Sequence, residues 1–166
     1  MNRLQAASFI LLIFCTILTI IISCEPYEKG CLIETGAFIS IEKDFGFLPK
    51  IPVFFKPNRY KGLLLKLKQD SEILSYENGT VTKIERNEKG KYGNYVVVNG
   101  RKGGAIKYYH LSEIYLEMGE TIRKGQEIGL SGNSGLVVSN GLGIEVYFNG
   151  ELIAPLEYIE GCNVFK

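Results

Sequence analysis

From residue 63 onward, short apolar runs alternate with glycine and asparagine, and this punctuation limits the fold more than any other feature of the chain. Each glycine supplies a turn conformation that a side chain would obstruct, so the pattern favours strands and tight turns over long helices. Residues 63–67 read as a buried strand, and 72–75 followed by Asn78-Gly79 and 80–86 reads as a hairpin. Residues 95–98 and 105–111 follow as strands around the glycine-rich 99–104 turn. In 118–129, two short strands are set between turn glycines, and Gly132-Asn133-Ser134-Gly135 makes a further turn. Residues 143–148 alternate into Asn149-Gly150 and return through 151–153, a last hairpin. No helix longer than a turn or two is required, and the expected class is all-β.

The first 58 residues read differently. Residues 6–22 are apolar and uncharged behind Arg3, the layout of a signal peptide or membrane anchor, and are set aside from the fold as a segment 1–23. The run ends in Ile21-Ile22-Ser23-Cys24, which resembles the lipobox of bacterial lipoproteins and makes Cys24 the expected lipidation site. An uncleaved anchor is the alternative, because the run approaches the roughly 20 residues that span a bilayer. Either way the domain is expected outside the cytoplasm, where disulfides form. Cys31 and Cys162 then flank the domain and are expected to pair, closing a loop on the order of 100 residues and adding about 4 to 5 kcal/mol in the chain-entropy model. Residues 24–43 read as a lead-in and 44–162 as the domain; 37–41 and 53–55 are short candidate strands within a proline-rich stretch. Net charge is +1 with no long basic run, so composition does not point to nucleic acid.

Several segments in order resemble the lysostaphin and LytM type of zinc metallopeptidases, which cut peptidoglycan. They are Asp44-Phe45-Gly46, Asn78-Gly79-Thr80-Val81, Tyr92-Gly93-Asn94-Tyr95-Val96, Tyr109-His110-Leu111-Ser112, Lys124-Gly125-Gln126-Glu127-Ile128-Gly129, Glu145-Val146 and Asn149-Gly150 with Pro155. The resemblance implies two small antiparallel sheets with a groove floored by one of them. In active members it also implies zinc held by a His and an Asp four residues apart and by the second His of an H-x-H strand. Three such ligands leave zinc an open position on which to acidify water.

This chain departs from that pattern. Counted back from Gly79, the first ligand and the Asp fall on Tyr60 and Leu64; counted back from Glu145, the H-x-H falls on Gly141-Leu142-Gly143, with Gly143 a ligand position and Gly141 the base position. His110 is the only histidine. Leucine and glycine offer a cation no donor, so zinc is not expected. Alternation puts Gly141, Gly143 and Glu145 on one face. Glu145 then either pairs with His110 in the groove or holds a neighbouring loop while His110 bonds within the sheet. Tyr60, His110, Gly141, Gly143 and Glu145 are the candidate groove residues; Tyr60 is expected to fill the metal's space and the two glycines to open room for another backbone.

The first functional reading is an inactive, envelope-tethered LytM-like protein that binds peptidoglycan or a cell-wall hydrolase and regulates wall remodelling. The second is an active endopeptidase whose metal site is rebuilt from His110, Glu145, Asp70 or a cysteine. The third is a lipoyl-like or adaptor-like β domain, because 122–129 also resembles the hairpins of carrier domains, although no carrier lysine motif follows.

Overall fold

The computed structural model describes residues 31–34, 36–44, 46, 60–100 and 103–159. The segment 1–23, the candidate lipidation site Cys24, the candidate strand 53–55 and Cys162 lie outside the described residues. Cys31 carries a free, half-buried thiol. Among the described residues no helix is long and apolar enough to cross a membrane.

Among the described residues there are ten strands, β1 Phe38–Lys43, β2 Leu63–Leu67, β3 Glu72–Leu74, β4 Gly79–Glu85, β5 Asn94–Gly100, β6 Gly104–Ile114, β7 Thr121–Ile122, β8 Glu127–Ser131, β9 Gly141–Phe148 and β10 Glu151–Ile153. A short helix, α1 Pro155–Tyr158, begins with proline at a position where no backbone donor is needed. The class is all-β, as the turn chemistry implied.

The two sheets expected from the sequence are joined into one hydrogen-bonded network. Its main layer runs β1-β2-β9-β6-β5-β4-β7, β10 pairs β9, and β3 pairs β8, which joins the end of β6. The joint is local. Tyr95 faces Tyr109 while Asn94 faces Leu111, so one extra residue, His110, bulges from β6. Beyond the bulge β6 turns from β5 to β8, as bulges do when they bend a strand.

Alternation divides the main layer into two faces. One face carries Leu63, Leu65, Leu67, Leu142, Ile144, Val146, Ile106, Tyr108, Val96 and Val98, each at most 2% exposed, and forms the core with Ile73, Leu111, Ile122 and Ile128. Each such side chain contributes about 1.5 to 3 kcal/mol by leaving water. The phenol of fully buried Tyr108 accepts a hydrogen bond from the Tyr76 backbone N–H at 3.1 Å, so its polar tip is satisfied.

Within the lead-in the short strand expected at 37–41 is present as β1, paired with β2, and Leu32 and Ile33 belong to the core. One expectation is corrected. Asn78-Gly79 is not a hairpin turn, since β3 pairs with β8 and β4 with β5 and β7. Gly79 is instead a close approach, where a Cβ would meet the Asn99 carbonyl oxygen at 2.5 Å. The Asn149-Gly150 hairpin is present, both residues at positive φ (51° and 83°), which suits a two-residue β-turn.

Candidate functional site

On the face opposite the core, the positions singled out in the sequence come together. Leu64 of β2 and Tyr109 of β6 both stand opposite Gly143 of β9, forming one row across three strands. Lys66 faces Gly141, and Lys107 faces Glu145 in the next row. Tyr60 reaches this row from the segment before β2, its hydroxyl 2.8 Å from that of Tyr109.

The two glycines do not open space. A Cβ at Gly143 would overlap the ring of Tyr109, and one at Gly141 would overlap the backbone carbonyl of Leu65. Tyr109 is itself buried. The room expected at Gly143 is taken by a large side chain on the adjacent strand, and at Gly141 by the close approach of β2.

Glu145 is buried, 3% exposed, and fully engaged. Tyr92 donates its hydroxyl to Oε1 and Tyr147 donates to Oε2, each at 3.0 Å. The Lys107 ammonium lies 3.5 Å from Oε2. That ammonium also sits 3.0 Å from the centroid of the Tyr92 ring and 4.6 Å from that of Tyr95, where aromatic quadrupoles attract a cation. Burial pushes the Lys107 pKa down, opposed by the Glu145 carboxylate beside it. Burial, then the charge of Glu145, pushes the Tyr147 phenol up to about 12. Tyr92 is raised for the same reasons, and Tyr109 by burial and then by Tyr60. The phenols are therefore neutral donors near pH 7 around one carboxylate and one ammonium.

His110 lies beside this cluster, its ring edge-on to that of Tyr109 with 4.8 Å between the centroids. Its Nδ1 is 2.7 Å from the Ser134 carbonyl oxygen; since a carbonyl only accepts, Nδ1 carries the proton. The residue adopts φ 69°, an uncommon region that His tolerates better than most side chains, and its backbone N–H donates to the Tyr92 carbonyl at 3.0 Å. Burial lowers the imidazole pKa, with Lys43 and Lys107 acting the same way against the Ser134 hydrogen bond. His110 Nδ1 thus bonds to the Ser134 carbonyl, while Glu145 bonds to Tyr92 and Tyr147.

These side chains do not compose a zinc site. Gly143 and Leu64 have no donor, the Tyr60 phenol is raised above its ordinary pKa chiefly by burial, and the Glu145 oxygens are occupied by two phenols and an ammonium. Asp70, considered for a rebuilt site, stands in the exposed turn after β2. No group of three His, Cys, Asp or Glu converges to hold a metal among the described residues.

Residues 58–155 match peptidase family M23. The chain belongs to this family. An uncharacterized metalloprotease of Haemophilus influenzae is 31% identical over 112 residues, 61% of this chain and 23% of that protein. The peptidoglycan DD-endopeptidase ShyA of Vibrio cholerae is 41% identical over 65 residues, 39% of this chain and 15% of that protein. The chain thus spans under a third of the length of each of these two relatives. The catalytic domain of lysostaphin from Staphylococcus simulans superposes with a TM-score of 0.62 at 18% identity, over 73% of this chain and 92% of that one, a likeness of fold.

On this face of the M23 domain Tyr60, Gly143, Gly141 and Glu145 are joined by Tyr109, Lys107, Tyr92 and Tyr147, which the sequence reading did not single out. The signal was available. Lys107 and Tyr109, and likewise Glu145 and Tyr147, are two residues apart, and strand periodicity puts each pair on one face.

Proposed function

We propose that this M23 domain is non-catalytic and zinc-free, and that it binds peptidoglycan at the cell envelope and regulates wall remodelling without cutting. The observation that carries the reading is the Tyr109 ring over Gly143, beside Leu64 in the same row. At the position where the resemblance puts a zinc ligand there is no donor, and a neighbouring ring occupies the place from which a side chain would project. Peptidoglycan is supported by membership of the family and by relatives such as ShyA, named as a peptidoglycan endopeptidase.

The face suits a polar polymer. Half-buried Tyr60, Tyr92, Tyr95 and Tyr147 offer ring edges and hydroxyls, the combination of apolar body and polar tip that favours wet interfaces. Lys43 and Lys91 stand over Tyr60 and Tyr92, 5.6 and 4.9 Å from the ring centroids, and add positive charge. Tethering through Cys24, or through an uncleaved anchor, would hold this face near the wall.

Co-sedimentation with insoluble peptidoglycan tests the reading. The full chain is expected to pellet with peptidoglycan, and a Tyr60→Ala, Tyr147→Ala double variant to pellet less. A chain that stays in solution would reject peptidoglycan as the ligand, and crosslinking to a cell-wall hydrolase would then redirect the proposal to a protein partner.

A further inference from the structure

His110 is the chain's only histidine, and the fold uses half of its hydrogen-bonding capacity. Nδ1 carries the proton and donates it to the Ser134 carbonyl, which leaves Nε2 with a lone pair and no hydrogen. Among the described residues no donor reaches Nε2. That atom is not sealed either: the unpartnered side-chain acceptor shut away from the surface among these residues is Asn94 Oδ1. Nε2 is therefore an open acceptor on a ring that is otherwise buried, the whole residue being 4% exposed.

The fold fixes the ring in this pose. The bulge between Tyr109 and Leu111 sets His110 at φ 69°, a conformation that costs free energy for a residue with a side chain and is held where the surroundings demand it. The backbone N–H is tied to the Tyr92 carbonyl, Nδ1 to Ser134, and the Tyr109 ring lies against the imidazole. With the tautomer and the ring plane both set, the open lone pair has one direction to offer.

The surroundings decide which donor suits it. The charged groups that act on His110 are Lys43 of β1 and Lys107 of β6, both cations; Tyr109 of β6, whose phenol is raised by burial, is neutral. Two ammoniums disfavour a third positive charge nearby, so a ligand ammonium is a poor partner for Nε2. A neutral donor meets no such penalty. A secondary amide suits the place further, because its N–H can meet Nε2 while its carbonyl oxygen, on the next atom, faces the positive field.

We propose that His110 Nε2 is the acceptor through which the tyrosine-lined face selects its ligand, taking the N–H of a secondary amide. This inference rests on the peptidoglycan reading of that face and names the group His110 would recognise. An imidazolium has no lone pair to offer, so protonating His110 releases the ligand. Because burial, with Lys43 and Lys107, holds the pKa of His110 below its ordinary 6.5, binding is intact at neutral pH and is lost below that value.

Diethyl pyrocarbonate acylates an accessible, unprotonated imidazole nitrogen, and with one histidine in the chain the carbethoxyhistidine signal reads His110 alone. The folded full chain is expected to react at neutral pH, and to react about tenfold more slowly at roughly ten times the half-saturating amount of peptidoglycan. Peptide-free glycan strands and free stem peptides, used separately, distinguish the two sources of amide. Co-sedimentation with peptidoglycan from about pH 7.5 to about 5 should show binding falling with the His110 pKa read from its ring NMR signals. His110→Gln keeps a carbonyl acceptor and cannot titrate, so its binding should not change over that range; His110→Leu should bind about three- to tenfold more weakly at the upper pH. An unreactive His110, protection by neither amide source, a pH profile shared by His110→Gln, or undiminished binding by His110→Leu would each overturn the proposal. A chain that pellets at the upper pH without protecting His110 rejects this inference alone; one that does not pellet rejects the peptidoglycan reading and this inference with it.

Discussion

The ring of Tyr109 stands over Gly143 across the β6–β9 pair, in the space a side chain at Gly143 would need. The glycine and the aromatic ring are thus one coupled feature. Gly143→His should destabilise the fold by about 1 to 3 kcal/mol through overpacking. Tyr109→Ala in the same chain should recover part of that loss, giving a favourable coupling in a double-mutant cycle read by denaturant unfolding. Additive effects would mean that the two residues do not compete for space.

Restoring zinc follows the same logic. Tyr60→His, Leu64→Asp and Gly143→His together supply the missing donors but leave the Tyr109 ring in their way. Metal analysis after dialysis should find stoichiometric zinc only when Tyr109→Ala is added. Equal loading with and without that change would show that the ring is no obstacle.

Lys107 and Glu145 form a nearly buried pair, with side chains 12% and 4% exposed. Removing one partner strands the other's charge, which is costlier than losing both. Lys107→Met should therefore lower stability by about 2 to 4 kcal/mol, and adding Glu145→Gln should restore part of it. Thermal unfolding of the single and double variants checks the order.

Burial depresses the His110 pKa below its ordinary 6.5. The unfolded chain then takes up a proton near pH 6.5 that the folded chain accepts only at lower pH, so the folded state loses stability as pH falls through that value. Full stability from this residue is present above it. His110→Gln should flatten the stability profile between about pH 7 and 5, measured by urea unfolding at several pH values. An unchanged slope would remove His110 from the acid response.

The fold was legible where turn chemistry is local. Asn149-Gly150 and the glycines at 119, 125 and 135, all at positive φ, declare their turns without reference to distant residues. Asn78-Gly79 misled because its reading depended on which strand β3 would pair with, and that partner, β8, lies about 50 residues away. The lead-in hid Leu32 and Ile33 because two adjacent apolar residues carry no period. At the site, alternation along β9 was enough to align Gly141, Gly143 and Glu145. What fills the gap was not legible, because Tyr109 reaches Gly143 only through the β6–β9 register.

The most direct test is zinc content and peptidoglycan cleavage measured on one preparation of the full chain, loaded with zinc and dialysed. We expect no stoichiometric zinc and no release of peptidoglycan fragments that a chelator abolishes. One zinc per chain with chelator-sensitive release would contradict the account and make this M23 domain an endopeptidase with a rebuilt metal site.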